Sequence, residues 1–435
     1  MAKNFQNYFE AVRYLETIHN LAQDDYYLKK SGRTIFLKRL RYFLNQIGNP
    51  QKNLKFIHIG GTSGKGSVAN MIHSILTEAG FKAGLYTSPY PTTSIEKIKI
   101  GKLLIDPDEF TAIVESLKPI IDKTYLESPY GRPSYFEIFT TIAFIYFKKQ
   151  KCDYAVIEVG LGGRYDATNV IPSPAITIIN KIGYDHTDVL GKSLLGIAKE
   201  KSAIIKPKTI FFTTSKNSKK IIGIFKKDCK KNKAEFNLVR PKKTTYITDL
   251  MGIHQQENAN LAEEACKKLG IGKKEIRAGL KKTKMSCRTE IIQRKPIVIL
   301  DGAHNVSKMK TTAETIRNLT YQKLYIIIAL TNDRNAWEIF KEIIPLADCI
   351  FITRFQSTGK KCYSPLKILK KINSINSKNQ KKPKKIFLDP GMALKKALKT
   401  AGPKDLVLIT GSFYLAGELR KYWRSEYKVL KERKI

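Results

Sequence analysis

A glycine-rich stretch, "GGTSGKGS" at residues 60–67, combines the residue types that hold phosphate groups. It departs from the common pattern G-x-x-x-x-G-K-[ST], because Ile59 stands where the first glycine is expected and Gly66 follows Lys65. Its glycines still let backbone N–H groups converge on an anion, its lysine can reach terminal phosphates, and Ser67 is placed to bind Mg²⁺. The stretch therefore predicts a nucleotide site that opens a helix, rather than a glycine-rich turn without a ligand.

Two further polar stretches follow apolar runs. Glu158 lies in "VIEVGLGGRYDATNVI" at residues 156–171, and His186 lies in "DHTDVLG" at residues 185–191. Ligands of parallel α/β sheets collect at the carboxyl ends of the strands. Glu158 is therefore predicted to hold the Mg²⁺ of a nucleotide on the neighbouring loop, whereas for His186 a metal or phosphate role competes with a structural one.

Short apolar runs alternate with helical patterns from about residue 54 onwards. The helix predicted at residues 66–80 repeats apolar residues at i, i+3, i+4 and i+7, and another helix is predicted at residues 254–270. The surrounding runs are almost continuously apolar, as parallel strands covered on both faces are. These predicted strands lie at residues 55–60, 154–160, 175–180 and 209–215.

A second set of predicted strands lies at residues 296–301, 324–330, 349–355, 386–389 and 405–412. The expected fold class is α/β. A P-loop-containing parallel-sheet ATPase domain is expected over residues 1–285, a linker over 286–295 and a C-terminal Rossmann-like α/β domain over 296–435. Residues 373–385 are expected to be an exposed loop.

The composition sets outer limits on function. Lys and Arg number 78 against 38 Asp and Glu, a net charge of +40, which would suit polyanionic partners. The lysines occur almost everywhere, with only small clusters such as "KKPKK" at 381–385, so a basic background composition is the favoured explanation. The 6 cysteines include no C-x-x-C pair, and no apolar run approaches the roughly 20 residues of a membrane span. We expect a cytoplasmic protein.

The motifs resemble those of folylpolyglutamate synthases and dihydrofolate synthases. "HIGGTSGKGSVA" resembles that family's HxxGTNGKGS loop, in which a glycine between Lys and Ser is expected. "EVGLGGRYDATNVI" and "DHTDVLGKSLLGIAKEKSAIIK" resemble its second and third signatures, and "RTEIIQRKPIVILDGAHN" and "LVLITGSFYLAGE" resemble the remaining ones. The resemblance runs from about residue 5 to about residue 425, and the wider group is the Mur-type amide ligases.

The resemblance implies an ADP-forming ligase. ATP would phosphorylate the carboxylate of dihydropteroate, of a tetrahydrofolate polyglutamate or of both, and the amino group of L-glutamate would attack the acyl phosphate. It implies ATP and two Mg²⁺ ions as cofactors and small molecules as partners. Neither nucleic acid nor a membrane is expected to bind, and a monomer is expected.

The resemblance also carries roles onto residues. It places around the ATP phosphates Gly61, Thr62, Ser63, Gly64, Lys65, Gly66 and Ser67. It assigns to further nucleotide contacts Asn258, Arg288, Asp301 and His304. It assigns to metal Ser67, Glu158, His186 and Lys201, the last as a carbamate, and to the folate Phe136, Arg164 and Asp166. Lys65, Lys201 and His186 are the expected catalytic groups, and Ser88 and Ser412 are further site candidates.

Several positions depart from the family pattern. Ser63 replaces Asn, Tyr90 replaces His in "TSPY", and "KIKIGK" at residues 97–102 replaces R-I-x-x-N-G. Cys287 precedes Arg288 where the family has glycine. The loop around Tyr90 borders the folate site in the family, so the identity of the carboxylate substrate stays open.

Two alternatives stay open as well. One is a Mur-type peptide ligase acting on a different carboxylate, although a separate N-terminal domain for a nucleotide sugar is missing ahead of the loop at residue 60. The other is a basic nucleic-acid-binding protein that uses ATP as a switch, for which steep salt dependence of polynucleotide binding would be the sign.

Overall fold

The computed structural model describes residues 5–18, 33–242, 245–332, 334–356, 361–374 and 382–434. Within these ranges the helices are α1 (Gln6–Thr17), α2 (Thr34–Gln46), α3 (Lys65–Glu78), α4 (Pro107–Glu127), α5 (Tyr135–Lys149), α6 (Thr187–Leu190), α7 (Leu194–Ser202), α8 (Lys219–Lys231), α9 (Ile253–Lys268), α10 (Lys273–Lys282), α11 (Val306–Arg317), α12 (Ala336–Phe340), α13 (Pro365–Asn373), α14 (Pro390–Thr400), α15 (Phe413–Arg420) and α16 (Glu426–Glu432). Short 3₁₀ turns lie at Ser94–Lys97, Ala167–Val170 and Ile344–Leu346.

The first sheet of the described chain has the strand order β4-β3-β2-β5-β1-β6-β7-β8. Its strands are β1 (Phe56–Gly60), β2 (Ala83–Tyr86), β3 (Ile98–Ile100), β4 (Leu103–Leu104), β5 (Tyr154–Glu158), β6 (Ile176–Ile179), β7 (Ile210–Thr214) and β8 (Glu235–Val239). The pairs from β2 to β8 are parallel, and β3 and β4 are antiparallel additions. Because β1 lies between β5 and β6, the loop after β1, Glu158 and the segment after β6 meet at one edge.

The second sheet has the order β13-β12-β11-β14-β10-β9. Its strands are β9 (Glu290–Arg294), β10 (Ile297–Leu300), β11 (Leu324–Ile328), β12 (Cys349–Ile352), β13 (Lys384–Ile386) and β14 (Leu406–Thr410). All pairs are parallel except β9 with β10. The α/β fold class is therefore confirmed, with two mainly parallel sheets flanked by helices.

Two stretches differ from the sequence-based expectation. The stretch expected as a linker contains β9, because its residues pair antiparallel with β10 and so belong to the second sheet. The last apolar strand before β14 was expected at 386–389 and lies at Lys384–Ile386, so part of the loop expected at 373–385 is an edge strand, while residues 375–381 lie outside the described ones. No described helix is long and apolar enough to cross a membrane.

The segment that contains α16 packs against the first domain, although it was expected to belong to the second. Val429 and Leu430 of α16 are buried in the apolar core formed by α1, α2, α4 and α5 of the first domain. Arg433 exchanges backbone and side-chain hydrogen bonds with Leu104, at 2.9 and 3.0 Å, and its guanidinium pairs with Asp106 at 3.0 Å. The last described residues thus pack on the first domain although the chain reaches them from the second sheet.

Candidate active site

The loop after β1 is shaped by glycine. Gly61 and Gly64 have φ values of 134° and 78°, in the region that favours glycine. A Cβ on Gly64 would lie 2.3 Å from Asn180 Nδ2 and 2.5 Å from Asn258 Oδ1. The loop is anchored by the Thr62 N–H, which donates to the carbonyl oxygen of Lys181 at 2.9 Å. Backbone contacts therefore hold the loop.

The helix α3 begins at Lys65, directly after this loop. Its first N–H groups have no partner within the helix, so its N-terminus favours an anion. Asn180 donates to Asn258 at 2.8 Å, which places α9 against the loop as the predicted nucleotide contact requires. The structure thus brings Lys65, the loop and Asn258 together.

Glu158 ends β5 and lies beside the first turn of α3. A Cβ on Gly66 would be 3.3 Å from both Glu158 carboxylate oxygens, and Glu158 accepts a hydrogen bond of 3.2 Å from the Ser88 N–H. Burial raises the pKa of Glu158, and the Lys65 ammonium opposes that rise. The carboxylate is thus held between the phosphate loop and the segment that begins at Ser88.

These oxygens fit a Mg²⁺ site. The buried Ser67 hydroxyl and the Glu158 carboxylate are hard donors next to a predicted phosphate site, and Mg²⁺ is usually bound by one or two carboxylates together with substrate phosphates and waters. No cluster of three or more His, Cys, Asp or Glu side chains suited to a metal occurs in the described part of the chain. A protein-only cage of the kind that binds Zn²⁺ is therefore not what these residues build.

Lys201 is a buried lysine on α7, with a side chain that is 4% exposed. Its nearest hydrogen-bond acceptor is the Gly162 carbonyl oxygen, 3.4 Å from Nζ. Gly163 allows this approach, because a Cβ there would lie 2.9 Å from Lys201 Cα. Burial and, to a smaller extent, the nearby Lys65 ammonium lower the pKa of Lys201 to about 7. An amine with this pKa is largely neutral, and hence nucleophilic, just above neutral pH.

His186 caps α6 in a left-handed conformation, with φ 50°. Its neighbour Asp185 reaches the second domain, where the carboxylate accepts from Arg334 at 3.0 Å and from Asn305 at 3.2 Å. Burial lowers the pKa of His186 to about 4, so the imidazole is neutral and able to bind a metal. Burial raises the pKa of Asp185, and the surrounding cationic groups, among them Lys308 and Arg334, lower it by more.

The turn after β10 is held by side chains. Asp301 accepts hydrogen bonds from the Thr289 N–H at 2.9 Å, the Ala303 N–H at 3.0 Å and the Thr312 hydroxyl at 2.7 Å. His304 Nδ1 lies 2.7 Å from the Gly302 carbonyl oxygen, so Nδ1 carries the proton. The other nitrogen, Nε2, is 3.0 Å from Lys308 Nζ and accepts from it.

A cavity of about 1120 Å³ lies between the two domains. Its lining includes the sequence-predicted candidates Ser88, Phe136, Asp166, His186, His304 and Ser412. Arg164 does not line it, because its guanidinium donates to the Lys199 carbonyl oxygen at 3.0 Å and lies 3.5 Å from Glu200 at the surface. Asp166 borders the cavity, yet its carboxylate accepts from the Leu161 and Thr168 N–H groups, which shape the loop itself.

Sequence reasoning missed several lining and neighbouring groups. Lys97, in the stretch that departs from the family pattern, places its Nζ 3.1 Å from the Tyr135 hydroxyl and 3.6 Å from the Phe139 ring centroid. The sequence around Lys97, which departs from the family pattern, contains no signal that predicts these aromatic contacts. Lys308 was detectable in principle, since it lies one helical turn after His304. The pairing of Asp185 with Arg334 joins residues 149 positions apart, which no local pattern predicts.

Comparisons with known proteins agree with this geometry. The family model described as Mur ligase middle domain matches residues 59–236, and the one described as Mur ligase, glutamate ligase domain matches residues 287–413. A Bacillus subtilis dihydrofolate synthase/folylpolyglutamate synthase is 31% identical over 88% of this chain and 94% of its own length. The Lacticaseibacillus casei folylpolyglutamate synthase is 29% identical over 76% of this chain and 81% of its own.

Solved structures show the same similarity. The Thermotoga maritima folylpolyglutamate synthase matches with a TM-score of 0.79 and 28% identity, covering 96% of either chain. The Mycobacterium tuberculosis folylpolyglutamate synthase, complexed with ADP and AMPPCP, matches with a TM-score of 0.82 and 25% identity, covering 89% of this chain and 95% of that one.

Proposed function

Because this chain belongs to the family of folylpolyglutamate and dihydrofolate synthases, we propose that it joins L-glutamate to the carboxylate of a folate-type substrate at the expense of ATP. The observation that carries the proposal is the meeting of the glycine loop, Lys65 and Glu158 on the first sheet. The large cavity beside them is lined from both domains. Such a cleft offers space for an organic carboxylate next to the nucleotide that the glycine loop would hold.

The chemistry explains why these residues are needed. A carboxylate oxygen is a poor leaving group, so its phosphorylation by ATP gives the acyl phosphate that an amine can attack. Both reactants are anions, and catalysis is therefore mostly positioning and charge neutralisation. The loop N–H groups and Lys65 would hold the phosphates, and His186 and His304 would face the reacting groups from opposite domains. Bound Mg²⁺, held by Ser67 and Glu158, would neutralise phosphate charge.

We also propose that Lys201 is carbamylated and completes a second Mg²⁺ site with His186. The lowered pKa leaves a neutral amine that can add to CO₂, and the resulting anion offers the oxygen ligands that Mg²⁺ prefers. An unmodified ammonium would instead repel the metal. Its burial beside Lys65 supports the need for an anion at this position.

The substrate is proposed at the level of a folate-type carboxylate. Phe136 lines the cavity and fills the space above Gly160, where a Cβ would meet its ring at 2.5 Å, so a flat ring system can lie against it. A reducing, cytoplasmic setting suits the chain, since all six cysteines are described and free. Small molecules are the proposed partners.

The direct test uses purified protein with ATP, Mg²⁺ and labelled L-glutamate. Dihydropteroate and tetrahydrofolate are offered in parallel, and a reaction without either is the control. We expect labelled product and ADP in equal amounts with at least one of them. If neither dihydropteroate nor tetrahydrofolate gives labelled product, but another carboxylate such as a nucleotide-linked peptide is extended, the Mur-type peptide ligase replaces the folate proposal.

A further inference from the structure

One loop borders the substrate cavity and touches the second domain at the same time. We call residues 88–97 the substrate loop. Its cavity-lining members are Ser88, Pro89, Tyr90, Pro91, Thr92 and Lys97. The loop also begins at the Ser88 N–H that donates to Glu158. A shift of this loop therefore moves the wall of the substrate cavity.

The far end of the substrate loop is fixed by Arg420, from the last turn of α15 in the second domain. The Arg420 side chain is 1% exposed. Its Nη1 donates to the Thr92 hydroxyl at 2.9 Å and lies 3.5 Å from Glu96 Oε1. Its Nε lies 3.2 Å from both carboxylate oxygens of Glu290, which belongs to the second sheet. One guanidinium thus joins a carboxylate of each domain.

Glu96 connects Arg420 to the backbone of the substrate loop. Its Oε2 accepts from the Thr92 N–H at 2.6 Å and from the Thr93 N–H at 2.9 Å. The Thr93 hydroxyl is bonded in turn to the hydroxyl of Tyr8 on α1 at 2.7 Å, in a buried position. The conformation of the loop therefore depends on a carboxylate whose cation comes from the other domain.

Packing reinforces the contact. A Cβ on Gly417, one helical turn before Arg420, would lie 2.2 Å from the Pro91 carbonyl oxygen, so α15 and the loop backbone touch without an intervening side chain. The same helix begins at the cavity, where Phe413, Tyr414 and Glu418 contribute to the wall. The helix α15 thus contributes to the cavity wall through its first residues, and it contacts the substrate loop through Gly417 and Arg420.

We propose that Arg420 is a positioning residue that sets the substrate loop, and with it the folate-type carboxylate, relative to the second domain. The positioning of the loop by Arg420 follows from the contacts alone, whereas the identity of the substrate rests on the proposed function. Arginine suits the position because its planar fork can satisfy two carboxylates and a hydroxyl at once, which a lysine ammonium on a flexible stem does less well. The phosphate loop is anchored separately, through Lys181 and Asn180, so ATP binding does not depend on Arg420.

The test compares Arg420→Gln with Arg424→Gln. Arg424 lies four residues further along the chain, and within the described residues its side chain bonds to the C-terminal segment, through Glu432 and the Lys434 carbonyl oxygen. For Arg420→Gln we expect the KM of the folate substrate to rise about tenfold or more, since a displacement near 1 Å is enough to cost that much. The KM of ATP should stay within about twofold. Equal rises for ATP and folate, or no rise in either, would overturn the proposal.

Two further measurements keep the outcome clear. Amide hydrogen exchange of residues 88–97 should quicken in Arg420→Gln and stay unchanged in Arg424→Gln, whether or not the protein ligates a folate. Unchanged exchange would refute the positioning role, whereas faster exchange in a protein without folate ligation would refute the proposed function alone. If Arg420→Gln does not fold, Arg420→Lys keeps the buried charge and is measured in its place, with the same exchange result expected.

A double-mutant cycle tests the route through Glu96. Glu96→Gln keeps an oxygen that accepts from Thr92 and Thr93 but loses the charge that faces Arg420. If the two side chains act together, the effects of Arg420→Gln and Glu96→Gln on folate KM are less than additive in the double variant. Fully additive effects would show that Arg420 does not act through Glu96.

Discussion

After β1 the chain turns through Gly61 and Gly64 into α3, and after β10 it turns through Gly302 and His304 into α11. Both turns follow a parallel strand. The first is held mainly by backbone contacts and by glycine conformation, and the Thr62 hydroxyl adds hydrogen bonds of 3.1 Å with the Gly183 carbonyl oxygen and N–H. The second is held by side chains, because Asp301 accepts from its neighbours and His304 uses both ring nitrogens within the second domain.

The turns after β1 and after β10 contribute to one candidate site in different ways. A turn held mainly by backbone contacts leaves Lys65 and the N–H groups at the start of α3 for a ligand, although the Thr62 N–H already donates to Lys181, and it tolerates no side chain at Gly64. A turn held by its own side chains is rigid before a ligand arrives, and Asp301 in particular has much of its acceptor capacity already in use. We therefore expect first-turn changes to remove binding and catalysis, and second-turn changes to act first on stability.

The largest effect is expected at Lys201, beside the first turn. Lys201→Ala removes the proposed anion and should lower turnover by about 10³-fold, the scale of losing one electrostatic group in an active site. Acetate should restore part of the activity and ethylamine should not. Lys206→Ala, which removes a half-buried lysine with a pKa lowered to about 8, is the control and should keep turnover.

The same lysine predicts a pH dependence. A pKa lowered to about 7 means that the amine is charged below pH 7 and neutral above it, and only the neutral amine adds to CO₂. After CO₂ has been removed, recovery of activity on restoring the same concentration of dissolved CO₂ at each pH should therefore become faster as the pH rises through 7. Recovery that is equally fast at pH 6 and pH 8 would contradict the carbamate.

The next effect concerns Gly64. Gly64→Ala combines left-handed strain of about 1–2 kcal/mol with crowding of about 1–3 kcal/mol against Asn180 and Asn258, so ATP affinity should fall about 100-fold. Gly80→Ala is a matched control at the other end of α3, because Gly80 also has positive φ (86°) but no atom within 4 Å of its Cβ position. It should cost stability alone. Isothermal titration with a non-hydrolysable ATP analogue measures the affinity of both variants. Equal losses of affinity in Gly64→Ala and Gly80→Ala would mean that backbone strain, rather than crowding, weakens binding.

The third effect tests the second turn. Asp301→Asn cannot accept from all of Thr289, Ala303 and Thr312, and leaving a buried donor unpaired costs about 1–3 kcal/mol. We expect the melting temperature to fall clearly and the KM of ATP to rise only a few fold. Unchanged melting with a large rise in KM would show that Asp301 acts on the nucleotide directly, and the contrast between the two turns would disappear.

The smallest effect lies outside both turns. Lys384 and Lys385 are on β13, the edge strand farthest from β9 in the second sheet. Changing both to Gln should leave turnover within about twofold, because charges beyond a Debye length of about 8–10 Å are screened. A tenfold loss would reveal a substrate-steering surface that the distribution of lysines hides.

The first turn was the easier one to predict from sequence. Its glycines, Lys65 and the apolar run of β1 are adjacent in the chain, and Glu158 follows an apolar run that can only be a covered strand. The second turn offered Asp301 and His304 as candidates, but their roles depend on Thr312 and Lys308 on α11. Whether a carboxylate faces a ligand or its own loop is decided by such contacts, which a sequence pattern does not contain.

Contacts between distant residues were harder still to predict. Arg164 sits between cavity-lining neighbours in a glycine-rich motif, yet its long side chain turns to the carbonyl oxygen of Lys199. Arg420 and Glu96 are 324 positions apart, and neither lies in a pattern that names a partner. Local periodicity specifies helices and strands, whereas side-chain direction is settled by packing.

The position of α16 bears on the order in which the molecule can be made. A ribosome synthesises the first domain early, but Val429 and Leu430, which pack into its apolar core, follow all strands of the second sheet in the chain. Domains generally fold as units during synthesis, so this one must wait, or hold an unfilled apolar groove, until the second domain has been translated. Its folding thus includes the contact of Leu104 with Arg433, which are 329 positions apart, and a nascent chain arrested before this segment should be more open to proteases than the released protein.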